Sequence, residues 1–201
     1  MSHYFVTPED DGSRNVIRAK IWDRDYEFVA ASGVFSAHRL DLGTRVLLTR
    51  TTPPGEDAKT VLDLGCGFGP IAVALAKECP WAEVDAVDVN ELALKLTHEN
   101  ADKHGVKVNA TLPESLVGER PDGYYDEIWS NPPIRIGKQA LHALLLTWLP
   151  KLAPDGIAWL VAGKNLGADS LSRWLTERGW ESEKYASAKG FRVLRVTTKQ
   201  R

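Results

Sequence analysis

The hydrophobic pattern changes character near residue 59. Before it, NVIRAKIW (15–22) and YEFVAASGVF (26–35) read as two short strands around Asp23-Arg24-Asp25, and DLGTRVLLTR (41–50) reads as a short helix with Asp41 as its N-cap. TTPPGEDAK (51–59) interrupts the pattern with Pro, Gly and charge. Beyond it the chain alternates. TVLDL is a buried strand, GPIAVALAKECP a helix stopped by Pro80, AEVDAVDV a strand, and NELALKLTHENADKHG a helix from Asn90 to Gly105. VKVNA (106–110) and DEIWS (126–130) follow as strands. Leu141, Leu144, Leu145, Trp148, Leu149 and Leu152 then recur at helical spacing. GIAWLVA is a fifth strand, GADSLSRWLTERG a helix ended by Gly179, and ESEKYAS with FRVLRVT a terminal hairpin around Ala188-Lys189-Gly190.

Strands alternating with helices predict an α/β fold, a doubly wound and mostly parallel seven-stranded sheet. It ends in an antiparallel hairpin and begins with a small N-terminal β extension. Ligands in such sheets sit at the carboxyl ends of the strands, near the reversal of strand order. The informative loops are therefore those after the first four strands that follow the break.

Composition narrows the class. The chain has 201 residues, 43% hydrophobic and 26% charged, which suits one ordinary globular domain. A net charge of −2 excludes an overall basic, nucleic-acid-coating surface, but not a local patch. Lys184, Lys189, Arg192, Arg195, Lys199 and Arg201 make the C-terminal stretch basic, with no acid among them. No apolar run suits a membrane span and nothing resembles a signal peptide. Cys66 and Cys79 form neither a disulfide framework nor a metal spacing, so no metal is expected and a reducing cytoplasm is the expected location.

The first loop is VLDLGCGFGP, with Asp63, Gly65, Cys66, Gly67 and Gly69. Glycines let the backbone turn sharply and approach a ligand, and the following helix offers free amides to an anionic group. The spacing is G-x-G-x-G, with Pro70 where the dinucleotide pattern would place its third glycine. Asp88, about 20 residues on, stands where an acid accepts hydrogen bonds from ribose hydroxyls. Together they indicate an adenosine-bearing cofactor, and the glycine spacing favours S-adenosyl-L-methionine over a nicotinamide dinucleotide. From about Lys59 to Thr198 the sequence resembles the class I S-adenosylmethionine-dependent methyltransferases, which have a Rossmann-like fold. The resemblance implies that Asp88 holds the ribose, the glycine loop faces the methionine part, and Val89 flanks adenine. It implies that Glu114 or Ser115 in LPESL meets the adenine amino group. Residues 1–57 are then an extension packed on a methyltransferase domain of residues 58–201.

SNPPIRIGK follows the fourth strand. Asn131-Pro132-Pro133 has a chemical rationale. The lone pair of a planar exocyclic amine is delocalised, and two acceptors aimed at its hydrogens draw the nitrogen toward tetrahedral geometry. The Asn131 side-chain oxygen and the Pro132 carbonyl supply two acceptors. Consecutive prolines fix an extended backbone and leave no amide to compete. The motif resembles N-P-P-[aromatic] of methyltransferases that act on amino groups, with Ile134 in place of the stacking aromatic residue. Together with SGVFS (32–36), DLG (41–43) and KGFRVLR (189–195), the sequence resembles the "methyltransferase small" family, single-domain relatives of the C-type small-subunit rRNA guanine-N2 methyltransferases. In that subgroup isoleucine recurs at the position of Ile134. The resemblance implies methyl transfer to guanine N2 of small-subunit rRNA, with ribosomal RNA or the small subunit as partner and no membrane association. Arg135, Lys138, Lys164, Lys189 and Arg192 are the candidate RNA contacts, and Phe35 either covers the cofactor or fills the core. An acceptor on tRNA, DNA or a protein glutamine uses the same motif. A non-catalytic ribosome-binding domain would be expected to lose some of Asp63, Gly65, Gly67, Asp88 and Asn131, all of which are present.

Overall fold

The computed structural model describes residues 12–133 and 137–199. The elements are β1 (Asn15–Ile21), β2 (Arg24–Ala30), α1 (Leu42–Arg50), β3 (Thr60–Leu64), α2 (Pro70–Glu78), β4 (Glu83–Val87), α3 (Glu91–His104), β5 (Asn109–Thr111), α4 (Pro113–Glu119), β6 (Tyr125–Ser130), α5 (Lys138–Trp148), β7 (Leu152–Gly163), α6 (Ala168–Glu177), β8 (Trp180–Ala188) and β9 (Phe191–Thr198). The main sheet runs β5-β4-β3-β6-β7-β9-β8. Its strands are parallel except β9, which is antiparallel to both β7 and β8. β1 and β2 form a separate antiparallel hairpin. Order reverses at β3: the chain steps outward through β4 and β5, then returns to place β6 on the other side of β3.

The helix boundaries follow local chemistry. Asp41 caps α1 by accepting from the Thr44 N–H, and Asn90 caps α3 by accepting from the Leu92 N–H. Gly105, at φ 63°, closes α3 in the left-handed conformation. The β2 strand stops at Ala30 and does not reach Phe35; residues 32–39 turn back instead. The third strand of the alternation lies at 109–111 rather than 106–110. Helix α4 has no counterpart in the apolar pattern. Pro113 starts it and buried Leu116 anchors it. Arg120, just past its end, bonds buried Asp85, which also accepts from Asn109 and Tyr125.

Two apolar layers sandwich the sheet. One joins β1, β2, α1, α2 and α3 through Ile17, Tyr26, Phe28, Leu47, Ile71 and Leu96. The other joins α5 and α6 through Leu141, Leu145, Trp148, Leu171 and Leu175. The N-terminal hairpin thus shares the main core. Asn100 of α3 stitches it further, donating to the carbonyls of Val29 and Phe68 and accepting from the Val29 N–H.

Candidate active site

The carboxyl ends of β3 and β6 lie side by side, with Asp63 opposite Trp129 and the Ser130 hydroxyl donating to the Leu64 carbonyl at 2.6 Å. Two loops leave this point. The glycine loop is hung on β4 by the Gly65 and Cys66 N–H groups, both donating to the Val87 carbonyl. Thr97 of α3 donates to the Gly67 carbonyl at 3.0 Å. Gly69 takes φ +87°, and a Cβ there would meet Thr97 side-chain atoms at 2.9 Å, so glycine is required by both conformation and space. A Cβ on Gly67 meets nothing within 4 Å, so that part of the loop presents open backbone. A Cβ on Gly65 would lie 4.0 Å from Pro133 Cδ; the glycine loop and the proline loop face each other.

Asp88 sits just past β4, half-buried. Its two oxygens accept from the Gly67 N–H and the Asn90 N–H, each at 2.9 Å. Burial raises its pKa, and these amides oppose the rise. Val89 beside it is 50% exposed. Phe35 is 62% exposed, on a turn tied to the start of α3 by the Asn90 side-chain N–H donating to the Gly33 carbonyl. It does not fill the core. Glu114 and Ser115 lie exposed in the first turn of α4, after β5.

Asp63 is fully buried. One oxygen accepts from the Ala72 N–H at 2.9 Å, and the other, Oδ1, has no partner. Burial pushes its pKa up to about 8, the Asp88 charge adds to the rise, and the Ala72 amide opposes it. Cys66, also buried, is raised well above the usual thiol range by the same desolvation, so it stays a neutral packing group.

At the β6 loop, Pro132 is buried and Pro133 exposed. Asn131 donates through Nδ2 to Asp41 Oδ2 at 2.7 Å and to Thr44 Oγ1 at 3.0 Å. Both amide hydrogens are thereby engaged at the start of α1. The Asn131 oxygen lies close to Gly43: a Cβ on that glycine would be 3.2 Å from Oδ1 and 3.0 Å from the Phe191 ring. No sequence motif singles out Asp41, Thr44 or Phe191 as site residues. DLG and KGFRVLR mark their segments, but only the fold carries α1 and β9 to the end of β6.

The candidate RNA-contacting residues divide. Ile134 and Arg135 lie outside the described residues. Lys138, Lys164 and Lys189 are exposed. The Lys164 N–H donates to the Gly190 carbonyl, which draws that lysine to the β8–β9 turn. Arg192 is already committed to Asp169 and its Nε is buried without a partner. Among the described residues no group of three His, Cys, Asp or Glu could hold a metal, and no helix is long and apolar enough to cross a membrane.

The family model for the methyltransferase small domain matches residues 25–195. The chain belongs to that family. This methyltransferase small domain protein uses S-adenosyl-L-methionine (AdoMet) as its methyl donor. It is 31% identical to the Bacillus subtilis protein YbxB over 196 residues, 96% of each chain. Over 138 residues it is 38% identical to ribosomal RNA small subunit methyltransferase C of Hahella chejuensis, covering 67% of this chain but 39% of that one. The chain thus spans about two-fifths of that relative's length. In fold it is similar to a 16S rRNA N2 methyltransferase of T. thermophilus, solved with AdoMet and guanosine. That match has a TM-score of 0.75 at 24% identity, covering 93% of this chain and 51% of that one.

The residues present fit this cofactor. Asp63 Oδ1 is a buried acceptor lacking a donor, the open backbone at Gly67 leaves room, and Asp88 keeps spare lone pairs.

Proposed function

We propose that this methyltransferase modifies an exocyclic amine of ribosomal RNA, with guanine N2 of the small-subunit RNA as the acceptor. The observation that carries the reading is the anchoring of Asn131. With both amide hydrogens held by Asp41 and Thr44, its oxygen is left as the acceptor at the end of β6. The similarity to ribosomal RNA methyltransferases over two thirds of the chain supports the choice of polymer.

AdoMet bound here supplies an electrophilic methyl group. Asp88 would hold its ribose hydroxyls, and Asp63 with the glycine loop its methionine part, while Val89 and Glu114 or Ser115 would border adenine. Asn131 Oδ1 and the Pro132 carbonyl accept the two N–H bonds of the incoming amine. As the nitrogen gains its bond to the methyl carbon at the expense of the cofactor's carbon–sulfur bond, positive charge would develop on nitrogen, and both acceptors would bind its hydrogens more strongly than in the ground state. The extra proton is then acidic enough to leave to solvent, so no tuned general base is needed. Pro132 and Pro133 have no N–H to compete for these acceptors and hold the loop extended.

The test is direct. Labelled AdoMet is incubated with the protein and separated RNA, DNA and protein pools, and the labelled pool is digested to nucleosides or residues. Label in N2-methylguanosine is expected; label in another base or in glutamine would refute the acceptor. Asn131→Ala should lower single-turnover methyl transfer ~100-fold or more while AdoMet affinity changes little. Transfer at the parent rate would remove Asn131 from the mechanism.

A further inference from the structure

A shallow concavity of about 350 Å³ lies between α1 and the β8–β9 turn, lined by Arg45, Val46, Thr49, Arg50, Ala188 and Lys189. Three of these six residues are cations, one is a hydroxyl and none is an acid. None of the three cations forms an ion pair with a described residue. Several other surface cations are partnered: Arg18 and Lys103 with Glu27, Arg24 with Glu78, Arg192 with Asp169, Arg195 with Glu183. Three like charges around one hollow repel each other, and an anion relieves that repulsion.

The backbone brings them together. Arg45 and Thr49 are one turn apart on the same face of α1, and Arg50 lies about 7.5 Å along the axis from Arg45. Lys189 has φ +48° at the first position of a two-residue hairpin turn, followed by Gly190 at φ +81°. That position favours Asn, Asp or Gly. A lysine there costs on the order of 1–2 kcal/mol. The hollow also borders the reaction centre. Arg45 follows Thr44, which holds Asn131, and the turn leads into Phe191, which packs by Gly43 and the Asn131 oxygen.

We propose that this hollow binds backbone phosphodiester groups of single-stranded RNA next to the nucleotide presented to Asn131. The guanidinium forks of Arg45 and Arg50 suit paired hydrogen bonds to phosphate oxygens, with Lys189 as a point charge. This rests on the RNA reading above and names where that polymer is gripped. It adds Arg45 and Arg50 to Lys189, two residues that no sequence motif marks.

The test uses the full chain and a fluorescein-labelled, guanosine-containing single-stranded RNA. Binding is followed by anisotropy across a salt series for the parent, for Arg45→Gln/Arg50→Gln/Lys189→Gln together, and for Lys107→Gln before β5 at the opposite sheet edge. Glutamine keeps the side-chain stems, and AdoMet affinity reports that the triple variant is folded. The parent should bind with a negative log–log salt slope. The triple variant should bind at least ten-fold more weakly, with the slope shallower by roughly 0.7 for each phosphate no longer neutralised. Lys107→Gln should match the parent. A triple variant with the parent's affinity and slope overturns the hollow as a phosphate site and leaves the RNA reading standing. A parent that binds no RNA removes both. Inorganic phosphate at matched ionic strength should not displace the RNA; displacement would assign the hollow to free phosphate instead.

Discussion

Asp63→Asn changes one buried atom and leaves the shape of the side chain intact. In the parent, Asp63 has no exposed surface, one donor, and a pKa moved from the usual 3.8 to about 8 by burial. An acid raised in the folded state binds more protons there than in the unfolded chain. Its stabilising contribution is full below the unfolded pKa and is lost as pH rises through the folded one. The slope in that window is about −1.4 kcal/mol per pH unit, so by pH 7 the group costs roughly 4 kcal/mol relative to a side chain that never ionises. Asparagine still accepts from Ala72 and carries no charge. Urea unfolding of cofactor-free protein from pH 5 to 8 should show the variant gaining steadily on the parent, by a few kcal/mol at the top. AdoMet affinity should move the other way, falling ten-fold or more, if the anionic Asp63 is, as proposed, the partner for the cofactor's ammonium group. Calorimetry of the parent near pH 7 should also register proton release on AdoMet binding, close to one proton for a group half-titrated near pH 8. Parallel pH profiles for the two proteins would refute the reasoning, since the buried carboxylate would then not be the group that titrates.

Three further outcomes are expected. Asp41→Ser keeps a good N-cap for α1 but is too short to hold Asn131, so turnover should drop about ten-fold with AdoMet affinity and the unfolding midpoint unchanged; a parent-like single-turnover rate would show that Asn131 is oriented without it. Asp88→Ala should weaken AdoMet by ~1–3 kcal/mol in titration calorimetry, and unchanged affinity would mean that the ribose is held elsewhere. Glu127, half-buried on β6 and accepting from the indole N–H groups of Trp129 and Trp159, has its pKa raised by burial from 4.5 to about 7. Its stabilising contribution is therefore lost between those values, and Glu127→Gln should gain up to roughly 3 kcal/mol on the parent at pH 8 and nothing at pH 4 in chemical denaturation; equal profiles would refute this.

The alternation of apolar runs and helical stripes carries most of the fold, because the central parallel strands are largely buried on both faces and read as short, mostly apolar runs. VKVNA reads as a strand too early because Val106 and Val108 look like one; Val108 is buried just ahead of β5, and the pairing with β4 begins only at Asn109. Helix α4 is not legible, since its seven residues PESLVGE include a glycine in the last turn and a single buried side chain. Beyond Leu116, it is tied down by the long-range bond of Arg120, just past its end, to Asp85. The glycine loop, Asp88 and Asn131 are legible because each stands at a strand end within one short motif. Asp41 and Thr44 are not, being 90 and 87 residues from their partner. Nor are Arg45 and Arg50, ordinary helix-surface cations until the β8–β9 turn brings Lys189 beside them.

The Asp41–Asn131 hydrogen bond also explains why residues ahead of the glycine loop belong to the chemistry. A carboxamide is ambidextrous: turned over, Asn131 would offer an amine two donors, which repel its N–H bonds, instead of an acceptor. Orientation has to be imposed by a neighbour that cannot play both parts. A carboxylate is such a neighbour, because ionised it only accepts. Asp41 Oδ2 takes the Asn131 Nδ2–H and the Thr44 N–H at once, so the group that starts α1 also turns the amide. A serine or threonine cap would serve the helix but could accept or donate, and would leave the amide free to turn. Placing an acid at this cap therefore couples the register of α1 to the direction of the acceptor, and Gly43 beside it leaves the close space in which Asn131 Oδ1 and Phe191 meet.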